Sequence, residues 1–150
     1  MTHAFARCSG LGLAEVLVVV VIATILAALA LPAWQQHRAR ALRVEARAAL
    51  AASMLVLERH AAMHASFASA HDDAAPAGEW PKPVPPAPAV PHHWIAATTC
   101  GGLPLSQCVE LRASPVRADP RCGTLVLRSH GAWLAIPAAQ TTPVPLPKGC

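Results

Sequence analysis

The sequence predicts an α+β chain, a long N-terminal helix packed by its second half on a four-stranded antiparallel sheet. Three observations carry that prediction. Residues 10–35 form an apolar run broken by one acid, Glu15. Leu42, Ala46, Ala49, Ser53 and Leu57 then recur at three- and four-residue spacing, the pattern of one helix face. Four short apolar segments between turn residues fill the C-terminal half, where strands and hairpins are expected. At 150 residues the chain has room for one domain and an anchor.

The apolar run comes first. About 20 apolar residues as helix cross a hydrocarbon core, so residues 11–34 are long enough to span a bilayer. A carboxylate deep in lipid costs about 2.5–3.5 kcal/mol on insertion scales, which marks Glu15 as a functional candidate. Pro32 lacks an N–H and crowds the preceding turn, so a kink or local loosening is expected there. The rival reading is a cleavable export signal, with Arg7 before an apolar stretch and Ala28, Leu29 and Ala30 as the cleavage site. A charged Glu15 inside the apolar stretch argues against it.

Residues 35–65 continue the helix in amphipathic form. No Gly and no Pro interrupts residues 33–75, and alanine, the best helix former, is abundant. Residues 11–64 as one helix would extend about 80 Å, far beyond a small globule, so the first half must find lipid or other subunits. Gln36, Arg40, Arg43 and Arg47 make a basic stripe, read as a solvated face or as a contact with a partner. His60 and His64 have metal-ligand spacing, but no third ligand accompanies them, so no metal and no cofactor are expected.

Residues 66–93 read as a connecting loop. Seven of the fifteen prolines fall between Pro76 and Pro91, and the stretch PKPVPPAPAVP predicts extended polyproline-like backbone. Residues 94–136 hold the predicted strands: 94–99, 108–113, 124–128 and 132–136. The second alternates, with Val109 and Leu111 on one side and Glu110 and Arg112 on the other. The last two form a hairpin around Ser129, His130 and Gly131. The helix stripe is the only long amphipathic surface available to cover such a sheet.

Of five cysteines, Cys8 precedes the apolar run, while Cys100, Cys108, Cys122 and Cys150 lie in the C-terminal half. An even set in an exported domain implies two disulfides, with three connectivities open. No nucleophile–base motif or phosphate loop is present, and the acids are scattered, so no enzyme is expected.

Residues 10–35 resemble the N-terminal signature of type IV pilins and pseudopilins. In that family a short leader ends in Gly, Glu stands fifth in the mature chain and Pro stands twenty-second. Gly10, Glu15 and Pro32 fit those marks, with residues 1–10 as leader and Leu11 as first mature residue. Leu11 replaces the usual Phe, Gly12 the frequent Thr, and Thr24 a frequent Gly. The resemblance implies cleavage between Gly10 and Leu11 by a prepilin peptidase, methylation of the new amine, and anchoring in the bacterial inner membrane before assembly into an extracellular pilus. Glu15 would compensate a neighbour's N-terminal charge, and Pro32 would act as a hinge. Charge counting alone would not give this orientation, because Arg7 is outnumbered by cations beyond the apolar run.

The segment VELRASPVRADPRCGTLVLRSHGAW resembles the sheet of type IVa pilins, where a strand, an Asp, a Cys-Gly and a second strand recur. It implies pairing of Cys122 with Cys150, which makes residues 137–150 part of a disulfide-closed loop. Cys100 and Cys108 then pair across their turn.

The leading functional expectation is a structural pilin subunit, minor more than major, whose partners are other pilin subunits. One alternative is a competence-type minor pilin that captures DNA through Arg112, Arg117, Arg121, Arg128 and Lys148. Net charge is +4, and loss of Arg7 with the leader lowers it by one, which is mildly basic. The other alternative is a pseudopilin of a secretion system, against which the Cys-closed loop argues.

Overall fold

The structure is a computed structural model that describes residues 12–150. Gly10 and Leu11, the expected processing site, lie outside the described residues. The chain divides into two units, Met1–Arg38 and Ala39–Cys150. One helix, α1 (Leu13–His64), belongs to both.

In the first unit the helix begins where the N–H groups of Glu15 and Val16 donate to the Gly12 carbonyl, at 3.0 and 3.2 Å. The helix runs unbroken through Pro32, so the proline does not end it.

In the second unit the helix lies over a sheet. Arg43, Ala46, Leu50, Met54 and Leu57 are its buried positions. Ala46 and Leu57 belong to the expected stripe, whereas Leu42, Ala49 and Ser53 are only half-buried. The buried line is shifted toward Leu50 and Met54 because this helix is apolar or alanine on most of its circumference. Periodicity then does not fix which face turns inward.

The remaining elements are β1 (Ala68–Ser69), β2 (Asp72–Pro76), β3 (Lys82–Val84), β4 (His93–Thr99), β5 (Val109–Pro115), β6 (Thr124–Arg128), β7 (Trp133–Ile136) and β8 (Val144–Pro145). Strands β1 and β2 pair with each other, and β3 to β8 form one sheet in sequence order, each neighbour antiparallel. The four central strands match the expected ones within two residues at each end. The two edges were not expected.

Both edges carry proline, Pro83 in β3 and Pro145 in β8. A strand that pairs on one side only tolerates a residue without an N–H. The expected polyproline connection is therefore partly a sheet edge: Lys82, Pro83 and Val84 oppose Ile95, Trp94 and His93. Beyond it Ala89 N–H donates to Pro86 O in a turn. The bonds Trp80–Pro81, Val84–Pro85 and Ala87–Pro88 are cis.

Alternation along the strands builds the core. Ile95, Leu111, Ala113, Leu125 and Leu127 share one face through the pairs Ile95↔Ala113, Leu111↔Leu127 and Ala113↔Leu125. They form one buried cluster with Ala46, Leu50, Met54 and Leu57 of the helix. Disulfides join Cys100 to Cys108 and Cys122 to Cys150. Gly123 follows Cys122 with φ +59°, and a Cβ there would sit 1.9 Å from the Ile136 carbonyl oxygen. Only glycine fits that close approach beside the Thr124↔Ile136 pair.

Candidate functional site

The apolar first part of α1 and its single acid are the candidate assembly site. Every described side chain from Leu13 to Leu31 is exposed in the isolated chain. Eleven Val, Leu and Ile residues from Leu13 to Leu31 present more than half of their surface, among them Leu17, Val19 and Leu29. That much unpartnered apolar surface is not tolerated in water and requires lipid or other helices.

The two polar side chains in residues 13–31 are treated differently. Thr24 Oγ1 donates to the Val21 carbonyl at 2.8 Å, so its hydroxyl is satisfied within the helix. Glu15 lies in the first turn, where the helix N-terminus favours a negative charge. Among the described residues no hydrogen bond or ion pair engages its carboxylate. The run ends at Trp34, whose ring lies 5.7 Å from the Arg38 guanidinium carbon. A tryptophan beside a cation suits a membrane–water boundary.

A second group of residues secures the helix to the sheet. Arg43 Nε and Nη2 donate to the two carboxylate oxygens of Asp119 at 2.7 and 2.8 Å. Its Nη1 donates to Gly149 O at 3.3 Å, next to Cys150. Asp119 also accepts from the backbone N–H groups of Arg121 and Cys122. Burial pushes the Asp119 carboxyl up, but Arg43 and those N–H groups outweigh it and hold the group below its ordinary 3.8. Arg47 stacks over Trp133 at 4.9 Å.

The reading of the basic stripe is thus corrected at Arg43, while Gln36 and Arg40 are exposed. Arg43 is neither solvated nor free for a partner, because it is buried against Asp119. The signal was present in its spacing: Arg43 stands three residues before Ala46 and seven before Leu50, on the buried line. Beside it, His92 Nε2–H donates to Glu45 at 2.8 Å, and the Nδ1 atoms of His92 and His93 lie 2.7 Å apart. Arg43, Glu45, His92 and His93 did not stand out in the sequence as a cluster.

The five basic residues singled out for DNA do not make one free patch. Arg112 Nε and Arg128 Nε donate to the two oxygens of Glu110 at 2.6 and 2.7 Å. Glu110 is fully buried on the sheet face away from the helix, and this pair of guanidinium groups compensates it. Arg121 Nη2 donates to Lys148 O at 3.0 Å. Arg117, Arg121 and Lys148 are exposed. His60 Nε2 meets Ala68 O at 2.9 Å, a tie between the helix and β1. Among the described residues no group of three His, Cys, Asp or Glu is arranged to hold a metal.

Comparison with family models, with curated proteins and with solved structures gave no match. What stands is the arrangement itself. An apolar N-terminal helix continues into a half that packs on an antiparallel sheet, and a disulfide closes the C-terminal segment. That arrangement is consistent with a pilin-like fold.

Proposed function

We propose that the chain is a subunit, minor in abundance, of a type IV pilus-like filament. It is held in the bacterial inner membrane by residues 11–34 until it is assembled. The observation that carries this reading is the exposed apolar helix bearing one carboxylate three residues into its first turn. An ordinary anchor has no use for that carboxylate. In a bundle of such helices an unpaired carboxylate is costly and a paired one is tolerable. The amine left at Leu11 by cleavage after Gly10 supplies a partner from a neighbouring copy, which fixes the axial register of each incoming subunit.

Glu15→Ala tests this. The variant should enter the membrane as the parent chain does, yet its amount in sheared filaments should fall at least about tenfold, the effect of losing a coupling of roughly 1.4 kcal/mol. Unimpaired incorporation overturns the reading. DNA capture is less well supported, because Arg112 and Arg128 already compensate Glu110.

A further inference from the structure

Two histidines adjacent in sequence bring the same ring nitrogen to one point. His92 Nδ1 and His93 Nδ1 are 2.7 Å apart, and the rings meet edge to face at 89°. At that distance one nitrogen donates and the other accepts, so one proton lies between them. The outer nitrogen of His92 donates to Glu45 on α1. His93 is buried, with 4% of its surface exposed, at the start of β4.

Proton counting limits what this closed arrangement holds. The neutral pair has two N–H groups: one between the rings and one facing Glu45. A third proton fits on the outer nitrogen of His93, and the resulting single positive charge faces Glu45 from the helix and Asp119 from the β5–β6 connection. Arg43, packed on Asp119, opposes it. A fourth proton would set N–H against N–H across 2.7 Å, which the contact does not survive.

The same residues fasten a piece of chain. His92 N–H donates to Val84 O at 2.7 Å, and Val116 N–H donates to His92 O at 2.9 Å. Residues 86–90, between β3 and β4, are exposed. Within the second unit His92 and its bond to Glu45 tie this connection to the helix.

We propose that the His92–His93 pair is an acid-operated catch, which holds the β3–β4 connection to the helix and releases it when both rings are fully protonated. Burial of His93 and its neighbour His92 both oppose charging, while Asp119 and Glu45 favour it. Release therefore belongs below the ordinary histidine range. The catch is a property of the folded unit and does not depend on filament assembly.

Amide hydrogen exchange of the full chain in detergent micelles, corrected for intrinsic rates and run from neutral pH to about pH 5, tests it. Protection of the His92 and Val116 amides should fall about tenfold per pH unit below the release point, one proton being taken up on opening. The β6 amides should keep theirs. His92→Gln keeps a donor for Glu45 but removes the second ring, so the fall should vanish. Glu45→Gln removes the group that compensates the first added proton, so release should move to higher pH. The proposal is overturned if the parent amides keep their protection, if the fall persists in His92→Gln, if Glu45→Gln leaves the release point in place, or if β6 loses protection in step.

Discussion

Arg43 and Asp119 are exposed by only 9% and 15% of their side chains, and each uses its polar atoms fully on the other and on nearby backbone. Truncating Asp119 leaves a nearly buried guanidinium without its carboxylate. Asp119→Ala should therefore cost about 3 kcal/mol in a denaturant titration, the low end for a broken buried pair. The same pair sets a pH dependence. Asp119 is held below 3.8 in the folded chain, so the unfolded chain binds the proton first as pH falls. Its stabilisation is complete above about pH 5 and is lost as pH drops through the folded value. Asp119→Asn should flatten the denaturation midpoint across that acid range. His93 acts in the same direction at milder acidity: its folded value lies below 6.5, so its contribution is complete above that value and falls away beneath it. Gly123 is a third single-residue constraint. Gly123→Ala combines φ +59° with a Cβ 1.9 Å from Ile136 O, and should cost about 3 kcal/mol or more in the same titration.

At the scale of elements, the helix and sheet are joined along one line, and the fully buried Leu50 is central to it. Leu50→Ala should destabilise the second unit by about 3 kcal/mol, whereas Val44→Ala, 64% exposed on the same helix, should change thermal stability little. The strands legible in the sequence were those whose apolar residues alternate or run continuously: β4, β5, β6 and β7. Edge strands β3 and β8 were not legible, because two or three residues with a proline carry no period and are held by their neighbour's open edge. Strands β1 and β2 hid for a different reason. DDAAP is polar and only half-covered, so nothing in its pattern distinguishes it from a turn. Arg43 and Glu45 come from α1, His93 from β4, and His92 and Asp119 from the connections before β4 and between β5 and β6. Their meeting depends on which helix face turns inward, which alanine-rich periodicity left open.

At the scale of the molecule, the two units need different surroundings. The second, Ala39–Cys150, has its own core of helix and sheet and two disulfides, one of them closing 28 residues of sequence. A bridge over a loop of that size contributes about 3–4 kcal/mol by chain entropy. The first unit, over its described residues, buries none of its most apolar 18-residue stretch. A chain that starts at Ala39 should therefore be soluble and should keep a cooperative thermal transition, since Arg43, Ala46, Leu50, Met54 and Leu57 remain to cover the sheet. The full chain should require detergent and resist alkaline extraction from membranes. If the shortened chain melted without cooperativity, the helix half beyond Ala39 would not be a sufficient cover for the sheet. If the full chain were extracted by alkali, residues 13–34 would not be seated in lipid, and the filament reading would lose its starting point.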